Sequence, residues 1–425
     1  MQKTALYIIF LTALSPLSSQ AETLQEAWRE VVKVDYTLKA MKENTQASKY
    51  QLGAAKAARL PSVSLNAAYT VLENDPTAIA SFQGLAFQLP MAEQESLQYR
   101  ATTTMPIYTS GQINQGIKAA TAQLEATKYT EKGTELRLKL SVAEAFVAVF
   151  RATKSLDVAI SHVDSLMAHE RDVENLYGQG MVSRNDLLAA QVALADAKQR
   201  AIKVENIFDM SQSAYNRLLG RPLNQPVQLE KIIIETMDDS LAVLTQRALQ
   251  QRHELNVLSK QIDALKHQAK AIYAESGPQF GLSAGYAFQE NQYQLYEDQW
   301  AVNLGMEWSI FDAGLVKNKA RSTERQAAAL KYHYHDLSGK IKLQVRQYWL
   351  AQEETRKRID VTEKSVGQSK ENLRVNRDRY ENGLSTNTEV LDAEALRVQS
   401  EVNHANAIYD AVLVSLRLKW ATSDL

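Results

Sequence analysis

The sequence predicts a mainly helical chain that carries a few membrane β-strands and is built as two tandem repeats. Three observations predict it. "LYGQGMVSRNDLLAAQVAL" (Leu176 to Leu194) resembles "RYENGLSTNTEVLDAEALR" (Arg379 to Arg397), and the spacing 380 − 177 = 203 pairs Tyr177 with Tyr380, Gly180 with Gly383 and Leu188 with Leu391. Two proline-free stretches, from about Gln112 to Tyr177 and from about Leu315 to Tyr380, carry apolar residues at alternating spacings of three and four, the period of helix seams. Segments near Pro61 and Pro278 alternate apolar with small polar residues, the period of a strand with one apolar and one wet face.

Residues 1–21 combine Lys3, an apolar stretch from Ala5 to Leu14, and small residues at Ser19 and Ala21. This pattern predicts a secretory signal peptide cut after Ala21. The first repeat then covers 22–220, a linker 221–240 and the second repeat 241–425. The chain has no cysteine, which excludes disulfides and a cysteine-borne lipid anchor. With 48 Lys and Arg against 49 Asp and Glu, the net charge of −1 offers no footing for nucleic acid.

Within the first repeat, the Ala-, Lys- and Gln-rich stretch from Leu24 to about Arg59 predicts a helix that ends before Pro61. In "PSVSLNAAYTVL", Val63, Leu65, Ala67, Tyr69 and Val71 oppose Ser62, Ser64, Asn66 and Thr70. "LQYRATTTMPIY" (Leu97 to Tyr108) alternates more weakly. In the second repeat, Phe280, Leu282, Ala284, Tyr286 and Phe288 lie on one side, as do Trp300, Val302, Leu304, Met306, Trp308 and Ile310. Four strands are therefore expected, with the length and alternation of outer-membrane barrel strands. Four strands cannot close a barrel, so other copies must supply the rest. A second offset, 278 − 61 = 217, relates the strand starts, and 217 − 203 = 14 extra residues fall in the loop Glu73 to Gln98 of the first repeat.

At about 1.5 Å per residue each long helix would reach about 100 Å. Val149, Leu156 and Val163 define one seam position, with Ile160 and Met167 expected to fill the other. Leu330, Tyr334, Leu337 and Ile341 repeat the pattern in the second copy. "YGQGMVSRND" and "YENGLSTNTE" are expected to be hairpin bends, each with a glycine C-cap followed by a Ser, Thr or Asn cap for the return helix. The return helices extend to about Leu219 and Trp420. The linker "GRPLNQPVQLEKIIIETMDDS" is expected to hold a small packed element.

In that order and spacing, the strand starts "PSVSLNAAY" and "GPQFGLSAGY", the corner "IFDAG" and the two bend motifs resemble the TolC-type outer-membrane efflux proteins over essentially the whole mature chain. The resemblance implies a homotrimer with a twelve-stranded β-barrel, four strands per chain, continued by a long periplasmic α-helical barrel. It implies an exit duct for efflux or type I secretion in the outer membrane of a Gram-negative bacterium, joined to an inner-membrane pump through a periplasmic adaptor. Mapped onto this sequence, adaptor contacts fall on Gly180, Met181, Val182 and Ser183 and on Gly383, Leu384, Ser385 and Thr386. An acidic entrance falls on Glu389 and Asp392, three apart and so on one helical face. A closing latch falls on Asp186 and Tyr380, and the arginine that joins it in some relatives is replaced here by Ser385. A plain helix turn, or a solvated helix face, would account for the same residues.

No nucleotide loop or catalytic pair is apparent, and no cofactor, metal or enzymatic activity is expected. His333 and His335 are two apart on a helix and face different ways, so they do not form a metal pair. The competing readings are an envelope-spanning coiled-coil tether without conductance, and a periplasmic enzyme or binding protein without membrane contact.

Overall fold

The computed structural model describes residues 21–232 and 237–425. All but the last residue of the expected signal peptide, and part of the linker, lie outside that range. The described chain runs α1 (Leu24–Val34), α2 (Tyr36–Ala57), β1 (Ser62–Val71), β2 (Thr77–Phe82), β3 (Leu85–Pro90), β4 (Glu95–Tyr108), α3 (Gln112–Gly178) and α4 (Arg184–Leu218). It continues with α5 (Leu241–Gln251), α6 (His253–Ala274), β5 (Gln279–Gln289), β6 (Asp298–Glu307), α7 (Leu315–Glu381) and α8 (Asn387–Ala421). The long helices are 67 residues each and the return helices 35.

Three features of the element boundaries differ from the sequence reading. The single helix expected before Pro61 is two, broken at Asp35, whose backbone is extended (φ −63°, ψ 127°). The second repeat breaks at Arg252 (φ −58°, ψ 122°), and 252 − 35 = 217, the same offset that relates the strand starts. Neither residue is Gly or Pro, so neither break carries the usual punctuation. The loop from Glu73 to Gln98 contains a β-hairpin, β2 with β3, so six strands replace the expected four. The last strand stops at Glu307, leaving Trp308 and Ile310 outside it; Trp308 Nε1 instead donates to the Ser276 carbonyl at 3.0 Å.

The chain divides into two compact units that cut across the sequence repeats, each unit taking matched pieces from both. One comprises Thr37–Thr134 and Ala248–Leu343 and contains the strands. Its main sheet is antiparallel in the order β1-β4-β5-β6. Directly paired residues share a face, so Leu65, Ala101, Tyr286 and Trp300 form one row and Val63, Thr103, Ala284 and Val302 the next. This face is apolar and uncovered, with Leu65 74% and Trp300 78% exposed. The opposite face carries Ser62, Ser64, Asn66, Thr102, Thr104, Ser283 and Asn303, and Ser62 meets Thr104 at 2.8 Å across it. Gly285 is required where it stands, because a Cβ there would lie 2.8 Å from the Ala101 carbonyl oxygen. Both β1 and β6 are edge strands. In the same unit Leu38 and Thr45 of α2 are buried, and the Thr45 hydroxyl donates to Glu131 of α3 at 2.6 Å.

The other unit contains the described residues through Tyr36, with Glu135–Arg247 and Gln344–Leu425. Its core joins Ala27 and Val31 of α1 to Val142, Phe146 and Val149 of α3, Tyr215 of α4 and Leu219 just past its end. The same stretch of α3 serves a second seam, where Ala143 and Val147 pack on Val412 and Leu416 of α8. Further along α3 the buried positions are Val158, Leu166, His169 and Val173, while Ile160 and Met167 are exposed on this chain, contrary to the seam expected for them. Leu330, Tyr334, Leu337 and Ile341 are all at least partly buried. The linker is pinned to the residues just before α1: Leu229 pairs with Glu22 as an isolated parallel bridge, and Arg221 grips the Glu22 carboxylate with two bonds of 2.9 and 2.7 Å.

Candidate functional site: the paired helical tips

Both bends are built to one plan. α3 ends with the Gly180 amide donating to the Tyr177 carbonyl (2.9 Å) and Met181 to Leu176 (2.9 Å); α7 ends with Gly383 to Tyr380 (3.0 Å) and Leu384 to Arg379 (2.7 Å). These paired bonds define a Schellman ending, which needs a left-handed residue, and Gly180 and Gly383 supply it at φ 74° and 72°. Three residues after each glycine a capping box opens the return helix. Ser183 accepts from the Asp186 amide (3.2 Å) while its own amide donates to the Asp186 carboxylate (3.1 Å), and Thr386 does the same with Glu389 (3.3 and 3.1 Å). The glycine and cap positions predicted from sequence are therefore local structure first.

The plan leaves Met181 and Leu384 exposed at equivalent positions, 63% and 68%. The next residue differs. Val182 packs against a cluster of Val173, Ala190, Leu373, Tyr380, Val390 and Ala393, whereas Ser385 turns its hydroxyl onto the Glu389 carboxylate. Those hydrogen bonds, from Ser385 and then from the Thr386 amide, hold the Glu389 carboxyl below its ordinary value. Asp392 is exposed and bonds to nothing among the described residues. The two acidic positions thus differ: one carboxylate is committed to its helix end and the other is free.

Asp186 and Tyr380 come close without bonding to each other. The Tyr380 hydroxyl is buried and has no hydrogen-bond partner among the described residues, and burial, then the Asp186 charge, raises its pKa. At the tips themselves the two hairpins are joined by Asn387. Its side-chain amide donates to the Asp186 carbonyl (3.0 Å) and its oxygen lies 2.7 Å from His169 Nε2. With the amide nitrogen spent on a carbonyl, the Asn387 oxygen must accept, so His169 carries its proton on Nε2. His169 and Asn387 are both buried, the His169 ring sits 5.5 Å from the Tyr380 ring, and burial holds the imidazole below its ordinary pKa.

About two turns further along α8 lies a buried ion cluster that the sequence reading missed. Glu394, 1% exposed, takes two bonds from Arg397 (3.1 and 2.6 Å) and one from His162 Nδ1 (2.9 Å) on α3. Arg377 of α7 stands 3.8 Å from the same carboxylate and bonds Ser165 of α3. Burial pushes the Glu394 carboxyl up, but the bonds from His162 and Arg397 overcome it and hold it at about 2. The spacing Glu394, Arg397, Glu401 is visible in sequence as a one-face series; the partners on α3 and α7 are not.

A sheet with one uncovered apolar face and one wet face, joined in sequence to long helical hairpins with capped tips, defines a membrane channel protein of the helical-hairpin class. Among the described residues no helix is long and apolar enough to cross a membrane. Residues 30–221 and 244–422 match the outer membrane efflux protein family, and the chain belongs to it. It is similar to the outer membrane protein TolC of Vibrio cholerae serotype O1, 21% identical over 439 residues that cover 100% of this chain and 96% of that protein. It is 20% identical over 312 residues to the alkaline protease secretion protein AprF of Pseudomonas aeruginosa, covering 71% of this chain and 64% of that one. The crystal structure of the outer membrane protein VceC from Vibrio cholerae shares the fold, with a TM-score of 0.80 at 17% identity over 94% of this chain and 95% of that one.

Proposed function

We propose that three copies of this outer-membrane efflux channel close one twelve-stranded barrel and form the exit duct of a tripartite export system. The observation that carries the reading is the four-stranded sheet, with an uncovered apolar face, a wet face and two free edges. Such a sheet satisfies its backbone in a bilayer only by closing against further copies. The duct is passive, does no chemistry on its cargo, and draws its drive from an inner-membrane pump through a periplasmic adaptor. The adaptor contacts the tips, where Met181 and Leu384 offer paired apolar anchors beside Gly180, Val182, Ser183, Gly383, Ser385 and Thr386. AprF carries protein secretion in its name, which supports type I secretion as one cargo class beside small-molecule efflux.

Within the tips, Asp392 lines the acidic entrance with its free carboxylate, and Glu389 contributes to it while capping α8. Asp186 and Tyr380 belong to the gate through other atoms than the resemblance implied: Asp186 through its carbonyl on Asn387, Tyr380 through its ring on His169. Planar-bilayer conductance tests the reading. Cation-selective openings whose selectivity falls in Asp392→Asn support it; no openings from folded protein would leave a non-conducting tether.

A further inference from the structure

The hairpin between β1 and β4 has no counterpart in the second repeat. β2 and β3 pair from Thr77 with Pro90 to Phe82 with Leu85, and the turn uses Gln83 and Gly84, both at positive φ (51° and 84°). That is the turn geometry whose twist suits a two-residue hairpin. Opposed residues share a face, so Ala78 with Leu89, Ala80 with Phe87 and Phe82 with Leu85 make one face without a polar atom on any side chain. The other face carries Thr77, Ser81 and Gln88 beside Ile79. No charged residue occurs from 76 to 92. Phe82 and Leu85 are exposed, and no other element of the chain packs appreciably on β2 or β3.

The base of the hairpin is fixed. Met91 donates to the Pro76 carbonyl (2.8 Å), Leu72 to Gln94 (2.8 Å), and the buried Asn291 from the β5–β6 loop donates to Met91 (3.0 Å). Around that base stand carboxylates: Glu73 and Asp75 on one leg, Glu93 and Glu95 on the other, and Glu290 and Glu297 from the β5–β6 loop. This collar separates the apolar hairpin from the apolar sheet face. Folding the hairpin down into lipid would draw the collar's carboxylates out of water, which their desolvation opposes. A second copy offers the same uncharged apolar face, and that contact leaves the carboxylates of both copies in water.

We infer that the β2–β3 hairpin docks, apolar face inward, on the same hairpin of neighbouring copies, and that together they lid the mouth of the barrel. The inference rests on the multi-copy barrel proposed above. It makes the lid a hydrophobic constriction, which blocks ions by excluding water and opens when the faces part.

The chain has no cysteine, so a single one reports without background. In purified full-length protein, mild oxidation of the Phe82→Cys variant is expected to give disulfide-linked pairs of chains, and the Gln88→Cys variant on the other face is not. Phe82→Glu with Leu85→Glu is expected to raise bilayer conductance by about twofold or more, because charge wets the constriction. Mass in detergent and wild-type conductance report the assembly itself. A monomer without conductance overturns both readings. An assembled, conducting protein whose Phe82→Cys variant does not cross-link, or whose double Glu variant conducts as wild type, overturns the lid alone. Quenching of a fluorophore on the Phe82→Cys variant by brominated lipid would also overturn it, by placing the hairpin in the membrane.

Discussion

Among the described residues at the tips, Asn387 alone bonds both a backbone carbonyl of α4 and a side chain of α3. Asn387→Leu keeps the size but strands the buried His169 N–H and removes the link to the Asp186 carbonyl, which costs about 1–3 kcal/mol. Thermal melting and amide exchange at the start of α8 would register it. Tyr380→Phe, by contrast, removes a hydroxyl that has no partner among the described residues, so the melting temperature is expected to hold or rise; a marked fall would point to a bond with a neighbouring copy. The two titrating groups act in different pH windows. Burial depresses His169 below 6.5, so its neutral form stabilises the fold above that value, and the contribution is lost as pH falls below it. Glu394 is depressed from 4.5 to about 2, so its contribution is present above 4.5 and is lost as pH falls between those values. The stability gap between wild type and Glu394→Gln is expected to narrow over that lower window.

At the scale of elements, the bends test backbone rules. Gly180→Ala and Gly383→Ala each force a Cβ into the left-handed region and are expected to cost about 1 kcal/mol at one tip. Gly285→Ala is expected to be worse for the sheet, because the obstacle is a ladder carbonyl and not open space; loss of the β4–β5 pairing would appear in circular dichroism and in a failed barrel. Much of this level is legible in the sequence. The long helices and tips follow from proline-free heptads and glycine caps, both local signals, and the sheet faces follow from alternation. The break at Asp35 is not legible, because an extended residue between two helices needs no special side chain. The β2–β3 hairpin hides inside an insertion, where irregular loop is the usual expectation, although "FQGL" between alternating apolar residues marks a tight turn. At the second tip, spacing alone puts Glu389 on a helix face, but only the structure shows its carboxylate bound by Ser385 and Thr386.

At the scale of the molecule, the compact units and the sequence repeats disagree in a regular way. Matched pieces of both repeats, Thr37–Thr134 and Ala248–Leu343, make one unit, so neither repeat holds a complete core. A chain cut after the first repeat is therefore expected to lack both the finished sheet and the tip cluster, and to be recovered as insoluble or protease-sensitive material. Phe146→Ala, in the core that joins α1, α3 and α4, is expected to cost about 3–5 kcal/mol, read as a fall in the denaturation midpoint.

The two free edges of the sheet bear on timing. Until β1 and β6 find partners, each exported chain presents two rows of unpaired amides and carbonyls next to an apolar face, a template for pairing with any extended polypeptide nearby. The lone chain is therefore a short-lived species by necessity. Its survival depends on how fast copies meet relative to how fast proteases and wrong strands reach it, so yield is expected to depend on the rate of synthesis as well as on the stability of the finished fold.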